Sequence, residues 1–570
     1  MPQYAFDRFV LDLGRECLLR DGGEVKLRPQ SFLMLRYLVE NRGRLLTKSE
    51  LMQALWGNSA VTDDSLVQCL SDVRRALEDT GQVLVKTVPR RGYIFTARLR
   101  LSSIAVLPFV DMSSKADNVE YLADGLADEL INMLAQVRGL TIASRSSSFR
   151  FRGMGLDITE IGRQLNVGAV LEGSIRRAGD HLRVSAQLVN ASDGYALWSE
   201  TYERRMGDVF AIQDEIASSI VGKLRLHLGG EPVLLSAKRY TSDTQAYHLY
   251  LAGRYFWNKR TKSGFEKAIE CWRRAIGHDP NYALAYTGIA DACNLLGYFG
   301  YRDPKDAYEQ GRSAARKALE IDDSLAEAHS SMGDVNLHID WDFRTCEHEF
   351  NTAIALNPNY ARAHHLLSHY WVATGDIDKS LDASQRALEI DPSNLSLIAH
   401  LSWHHYYAGE FDRAIEAGQR VTEMDPSFTM ARIYLGQAYT LNRMYREAID
   451  EFERASVDGS TDVQGYLGLT FALSGDRRRA EAMLTDLMSQ SAERYVSPFH
   501  IATISLALGD LDGAFRWLHK TVDGHGRHAA TLRLDPVLVP IRGDPRFQTL
   551  VQRVGARYQN RNGPLVTWQR

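Results

Sequence analysis

Cysteine is scarce in this chain: five in 570 residues, at Cys17, Cys69, Cys271, Cys293 and Cys346. They lie far apart and form no C-x-x-C pair, which excludes a disulfide scaffold or a thiolate zinc site and suits a reducing compartment. No stretch approaches the roughly 18 uncharged apolar residues that a membrane-spanning helix needs. The most apolar short runs, 104–110 and 537–541, have the length of buried strands or packing segments. The opening MPQYAFDRFVLDLG has no apolar run behind a basic patch, so a signal peptide is not expected. G-x-x-x-x-G-K-[ST], G-x-S-x-G and H-E-x-x-H are all absent, and no nucleophile–base pair can be named. Neither charge sign dominates: the formal net charge is −4. Residues 1–100 hold 16 Lys and Arg against 12 Asp and Glu, leaving 51 basic and 59 acidic residues for the rest. A modestly basic head on an acidic body fits nucleic-acid contact confined to one end. These absences predict a cytoplasmic chain without enzyme activity, cofactor, metal or membrane contact. At this length about three to five units are expected.

Within the first hundred residues, Tyr4–Leu11 and Gly23–Leu27 alternate as short strands around a turn at 20–23. Pro29 opens a helix with Phe32, Leu35, Leu38 and Val39 on one stripe. A second helix starts at Thr47 with Glu50 three residues on, a capping-box pattern, and breaks at Gly57-Asn58. A third follows Thr62-Asp63-Asp64, and its Leu66, Leu70, Val73 and Leu77 recur at 4-3-4 spacing on an inner face. Val67, Gln68, Ser71, Arg74 and Arg75 are left to the other side. LVKTVPRRGYIF, residues 84–95, then places two strands around Pro89-Arg90-Arg91-Gly92. Two adjacent guanidiniums on a hairpin that follows an amphipathic helix predict a winged helix-turn-helix that binds double-stranded DNA.

Residues 4–98 resemble the effector domain of OmpR/PhoB response regulators, and more closely the CadC/ToxR-like version with its Val-Pro-Arg-Arg-Gly-Tyr wing. The resemblance implies a positioning helix at Thr47–Trp56, a recognition helix at Asp64–Leu77 and a wing at Thr87–Tyr93. Gln68 and Ser71 then face base edges, Arg74 and Arg75 a base or phosphates, and Thr87, Arg90 and Arg91 the backbone or minor groove. The alternative for the arginines is pairing with Glu78 and Asp79 on their own helix. Ser71 and Asp72 depart from the pattern, where response regulators often carry arginines; the charge of Asp72 repels phosphate or accepts from a cytosine amino group. The receiver domain of response regulators is missing, so control by an aspartyl phosphate is not expected. CadC/ToxR-like proteins often continue into a membrane helix; here residues 101–110 run into another soluble segment.

From 103 to 228 strands and helices alternate: strands at Ile104–Phe109, Leu140–Ser144, Ala169–Ile175, His181–Val189 and Leu197–Tyr202, helices at Val119–Leu134, Ile158–Leu165 and from Asp208. A small α/β domain with a mixed sheet is expected. The segments IAVLPF, YLADGLADELINML and LEGSIRRAGDHLRVSAQLV resemble an accessory domain that stands between a winged or adenylate cyclase effector and tetratricopeptide (TPR) repeats, and are similar to the N-terminal domain of TolB. No cyclase catalytic region is visible, and the segment reads as a sensor or connector. Arg145–Arg152 is a candidate anion patch; lone His181 reads as a surface residue.

Periodicity organises the remainder. Asp279-Pro280, Asp322-Asp323, Asn357-Pro358, Asp391-Pro392 and Asp425-Pro426 end successive helix pairs at intervals of 43, 35, 34 and 34 residues. Thirty-four is the TPR period, and eight units begin near 249, 283, 327, 361, 395, 429, 461 and 495. Such solenoids present a concave groove that holds a protein or peptide partner. His365, Trp371, Trp403 and Tyr407 are the expected lining. The crowding of His364, His365, His369, His404 and His405 resembles a metal cluster, but no carboxylate or cysteine completes a set and adjacent histidines point apart. A last helix over Asp544–Val554 is expected to cap the open end, with Arg557–Arg570 a tail.

The whole predicts a multidomain chain: winged helix-turn-helix (1–100), α/β accessory domain (102–228), all-α TPR solenoid (240–525), capping segment and tail (526–570). The expected function is sequence-specific transcriptional regulation, with a homodimer on DNA left open; the alternative is a scaffold acting through protein contacts alone.

Overall fold

The computed structural model describes residues 3–6, 8–13, 15–20, 23–57, 62–96, 103–114, 119–135, 137, 140–165, 167–228, 240–392, 394–455 and 461–555. The turn at 21–22, Asn58, the 97–102 connection and the 557–570 tail lie outside them. The chain divides into two compact units, Met1–Val119 with Leu126–Ala237, and Glu120–Gly125 with Lys238–Arg570.

The first unit opens with an antiparallel sheet, β1 (Gln3–Phe6), β2 (Phe9–Asp12), β3 (Cys17–Arg20) and β4 (Gly23–Val25), paired in that order. The one strand expected over Tyr4–Leu11 is two, folded back where Phe6 pairs with Phe9. β3 was not legible, since a four-residue C-L-L-R shows too little alternation. Helices α1 (Pro29–Glu40), α2 (Lys48–Trp56) and α3 (Asp63–Ala76) follow, then the hairpin β5 (Val85–Val88) and β6 (Gly92–Phe95). Phe32, Leu35, Leu38, Leu51, Leu66, Leu70 and Val73 form one core with Phe6, Phe9 and Phe95. Each such side chain contributes about 1.5–3 kcal/mol when fully buried. Thr47 caps α2 as expected, accepting from the Glu50 N–H at 3.2 Å. The reciprocal half of the box is replaced, because the Glu50 carboxylate pairs with Arg44 instead.

The α/β part contains β7 (Ser103–Val106), β8 (Val110–Asp111), α4 (Glu120–Ala135), β9 (Thr141–Ile142), α5 (Arg145–Phe149), α6 (Ile158–Leu165), β10 (Ala169–Ala178), β11 (His181–Asn190), β12 (Ala196–Arg205) and α7 (Val209–Leu228). Its sheet is mixed, in the order β12-β11-β10-β7-β9, with β8 parallel to β10. Parallel pairs join β7, β9 and β10, and antiparallel hairpins join β10, β11 and β12. Val209, Ile212, Ile216 and Ile220 are all buried along α7.

The second unit holds eight helix pairs among the described residues, the first helices starting at Thr244, Ala283, Ala326, Ala361, Leu395, Thr429, Thr461 and Pro498. The Asp and Asn at pair ends have a direct role. Asp279, Asp322, Asn357 and Asp425 each accept the backbone N–H two residues on, at 2.8–3.1 Å, closing the turn into the next unit. A second periodic signal lies at the start of second helices, where Asp303, Asp342, Asp376, Asp476 and Asp510 are N-caps. Close approach within a pair requires glycine: a Cβ on Gly436 would lie 2.6 Å from the Phe452 ring.

The last helix packs along the second helix of the eighth pair, where Arg546 pairs with Asp512 at 2.8 Å and Arg553 with Asp523 at 2.6 Å, and the residues before it reach further into the array. A 3-10 turn, Pro536–Ile541, and a helix, Pro545–Gly555, bury Leu538, Ile541, Phe547 and Leu550 in one cluster with Leu366 and Tyr370 of the fourth pair and Phe499 and Phe515 of the eighth. Arg527 reaches Asp462 at 2.8 Å, the Tyr466 hydroxyl at 3.3 Å and the Tyr298 carbonyl at 3.4 Å, tying the second pair to the seventh. The segment thus fills the inner face of the array.

Candidate functional site

The outer face of α3 is set by what its inner face buries. With Leu66, Leu70, Val73 and Leu77 turned into the core, Val67, Gln68, Ser71 and Arg75 stand exposed. Val67 is 51% exposed on an otherwise polar face, where it costs solvation energy and suits an apolar contact such as a thymine methyl. Asp63 and Asp64 in the first turn and Arg74 and Arg75 in the last complement the helix dipole. Lys48 pairs with Asp63 at 2.8 Å and joins α2 to the start of α3.

Arg74 is half-buried and reaches across to the hairpin, bordering the same groove as Arg75. Its guanidinium donates to the Val85 carbonyl at 2.7 and 3.3 Å and to the Thr87 hydroxyl at 2.7 Å, and Thr87 donates on to Gln82 at 3.0 Å. The alternative pairing of the two arginines with Glu78 and Asp79 is not formed either. Glu78 pairs with Arg8 and Arg20, and the buried Asp79 accepts the N–H groups of Val83, Leu84 and Val85. Asp79 so builds the turn from α3 into the hairpin.

Asp72 is not a bare acid facing phosphate. It accepts from Arg28 and from the Ser31 hydroxyl, and Gln68 donates to it at 3.3 Å. Burial alone would raise its carboxyl, but Arg28 and Ser31 hold it below the ordinary range. Arg75 lies 3.8 Å from the same carboxylate with its side chain three-quarters exposed. Arg90 and Arg91 are exposed at the hairpin tip, and Arg90 adopts a φ of 63°. Gly92 is required behind them: a Cβ there would fall 1.9 Å from the Leu46 carbonyl oxygen, where Leu46 and Tyr93 exchange two 2.9 Å hydrogen bonds. A groove between α3 and β5 is lined by Val67, Ser71, Arg75, Gln82 and Thr87. Val67, Gln82 and the Arg28 support of Asp72 were not singled out as contact or support residues from sequence.

In the α/β part, Ser144 caps α5 and the arginines engage local groups. Arg145 lies 3.9 Å from the centre of the Phe149 ring and 3.6 Å from Asp128, and Arg150 donates to Gln164 at 2.8 Å. These contacts direct the two cations to different neighbours. His181 is exposed at the end of β11.

The expected groove residues sit against the C-terminal segment. Trp403 is 8% and Tyr407 7% exposed, and the Tyr407 hydroxyl lies 3.1 Å from that of Thr531 and 3.3 Å from the Asp535 carboxylate. They are interior, not an open lining. His365 and Trp371 are half-buried, and Lys379 stands over the Trp371 ring at 4.3 Å. His364 and His405 point away, to the Pro358 carbonyl and to Glu410. Burial pushes Asp535 up to about 6 and Asp334 up to about 7, and drives His400 down to about 4.

Residues 22–95 match the family described as transcriptional regulatory protein, C terminal. The N-terminal segment is an OmpR/PhoB-type winged-helix regulator domain. Behind it, residues 100–219 match the second domain of HilA/YgeH-like transcriptional regulators, and residues 401–462 match the tetratricopeptide repeat. The chain is 23% identical over 422 residues to the transcriptional regulator HilA of Salmonella typhi, 71% of this chain and 73% of that protein. The winged-helix region finds a relative in KdpE of Mycobacterium tuberculosis, 37% identical over 79 residues, 14% of this chain and 35% of that protein. A Rhizobium meliloti protein provisionally named adenylate cyclase 3 is 32% identical over 249 residues, 43% of this chain. The match spans 42% of that protein, less than half its length. The three matching families are two regulator domains and a repeat, none of them catalytic. No helix among the described residues is long and apolar enough to cross a membrane.

Proposed function

We propose that the chain is a sequence-specific, DNA-binding transcriptional regulator whose repeat body binds a partner or signal. The observation that carries this reading is the exposed α3 face, flanked by Arg90 and Arg91, on a domain of the regulator type. Gln68, Ser71 and Val67 read base edges in the major groove, Arg75 contacts a base or phosphate, and Arg90 and Arg91 hold the backbone or minor groove. Arg74 and Thr87 act one step back, by fixing the hairpin against α3. The protein works in the cytoplasm without membrane contact, and a homodimer on DNA matches paired half-sites. The segment 102–228, similar to the N-terminal domain of TolB, serves as a non-catalytic sensor or connector.

In the repeat body the half-buried His365 and Trp371 are the groove residues within reach of a protein or peptide partner, whereas Trp403 and Tyr407 support the interior. The test is binding of the full chain to genomic DNA fragments across a salt series. A steep loss of affinity with salt supports the regulator, because neutralised phosphates release counterions. Wild-type protein with no salt-dependent DNA affinity favours the scaffold reading instead. Mapping bound sites with and without residues 240–570 then tells whether the repeats restrain or promote binding.

A further inference from the structure

Four histidines meet inside the repeat array. His365 and His369 stand four residues apart on the helix Ala361–Thr374, and His400 and His404 repeat that spacing on the next first helix, Leu395–Ala408. The spacing puts both rings of each pair on one helix face, and the two faces meet. Ring centres lie 4.6 Å apart for His365 and His369, 4.4 Å for His365 and His400, and 5.8 Å for His369 and His404. One ring nitrogen from each of His365, His369 and His404 lies within 4.8 Å of the others.

The hydrogen bonds separate the four. His400 is committed: its Nδ1 donates to the Ser396 carbonyl at 2.7 Å, and its Nε2 accepts from the Tyr434 hydroxyl at 3.0 Å. Among the described residues the hydrogen bonds of His404 go to two hydroxyls, Ser380 at Nδ1 (2.8 Å) and Ser368 at Nε2 (2.9 Å), and Ser368 also donates to the His365 carbonyl at 2.5 Å. Either serine can keep the ring N–H while the other nitrogen turns to a new partner. His365 Nδ1 and His369 Nε2 are buried with no hydrogen-bond partner among the described residues, and His369 is 4% exposed. A buried, unpaired ring nitrogen carries an uncompensated desolvation cost that a ligand would remove.

We propose that His365, His369 and His404 form a tri-histidine site for a divalent first-row transition ion, zinc above all, which clips the fourth repeat to the fifth. Three imidazoles without carboxylate suit zinc, cobalt, nickel or copper and not magnesium or calcium. Burial, and then the neighbouring histidines, keep all three rings well below the ordinary histidine range, so each is neutral and offers a lone pair near pH 7. Zinc–nitrogen bonds of about 2.0–2.1 Å need the nitrogens to converge by about 1 Å, within reach of small ring rotations. The sequence carries this signal as two i,i+4 pairs, His365/His369 and His400/His404, beside His364 and His405, which point elsewhere.

The test uses the full chain without a polyhistidine tag, stripped with chelator and titrated with Zn²⁺ by calorimetry and Co²⁺ by absorption. One equivalent of each, a tetrahedral Co²⁺ spectrum and a raised melting temperature are expected. In H365Q/H369Q, affinity falls beyond the roughly 10–100-fold that loss of an outer-shell group causes, while H181Q binds as wild type. No uptake near one equivalent, or equal uptake by a folded H365Q/H369Q chain, overturns the site. Should that double variant not fold, X-ray absorption of the zinc-loaded wild type decides. Imidazole scattering from about three nitrogen ligands supports the proposal, and an oxygen-dominated sphere defeats it.

Discussion

The guanidinium of Arg74 grips the carbonyl oxygen of Val85 with two hydrogen bonds, at 2.7 and 3.3 Å, across the turn between α3 and the β5–β6 hairpin. The angle between α3 and the hairpin, the two elements proposed to meet DNA, therefore rests in part on this half-buried side chain. Asp79 completes the joint by holding three successive N–H groups of the same turn.

Replacing Arg74 by alanine is expected to loosen the hairpin and cost about 1–2 kcal/mol of winged-domain stability. DNA affinity should fall with it although no direct contact is lost. Hydrogen exchange over 85–95 reports the loosening. Unchanged exchange together with lost DNA binding would mean that Arg74 swings out to touch DNA itself.

The double substitution R90A/R91A has the opposite profile. Both side chains are exposed, so melting should stay within about 0.5 kcal/mol of wild type. Affinity should fall for all sequences alike, and the log–log salt slope should become shallower by about 2. A preserved slope would remove the wing from the interface.

Arg527 and Asp462 form a largely buried ion pair in the array's interior. Converting Arg527 to alanine leaves the Asp462 carboxylate with His500 Nε2, at 2.9 Å, in place of a full guanidinium charge, and should destabilise the second unit by about 3–5 kcal/mol. W403A should cost a similar amount, about 3–5 kcal/mol, as a large-to-small change in a filled interior. Partner affinity of the folded fraction should be unchanged in W403A. Near-wild-type melting of W403A with lost partner binding would restore the open-groove reading.

Acid should weaken the repeat body. Burial keeps His365, His369, His404 and His528 well below the ordinary range and His400 near 4, whereas in the unfolded chain each titrates near 6.5. Below about pH 6.5 the unfolded state binds more protons, so stability falls as pH drops towards 4. Asp535 and Asp334, raised to about 6 and about 7, work the other way, because the folded state takes up their protons first. Burial also drives His338 down to about 3 and raises Glu327, so six buried histidines stand against three buried carboxylates. Thermal melts of the full chain at pH 7.5, 6 and 5 should show a falling midpoint for the helical transition; a rising one would contradict the balance.

Much of this molecule was legible in the chain because the relevant patterns are local. The 4-3-4 apolar spacing of α3 decides which face stays out, and so names Gln68, Ser71 and Arg75. The Pro-Arg-Arg-Gly turn places Arg90 and Arg91 at a tip, and a 34-residue period counts the helix pairs. Each follows from the pitch of a helix, the pleat of a strand or a turn closed within a few residues. Tertiary packing decided the rest. Arg74 could have faced outward until β5 offered it a carbonyl, and Asp72 is neutralised by Arg28, 44 residues away. Trp403 and Tyr407 are interior where residues 527–535 fold back against them, and two i,i+4 histidine pairs became one cluster only where neighbouring helices meet. Partners distant in sequence are selected by burial and geometry in three dimensions, and no local period records that selection.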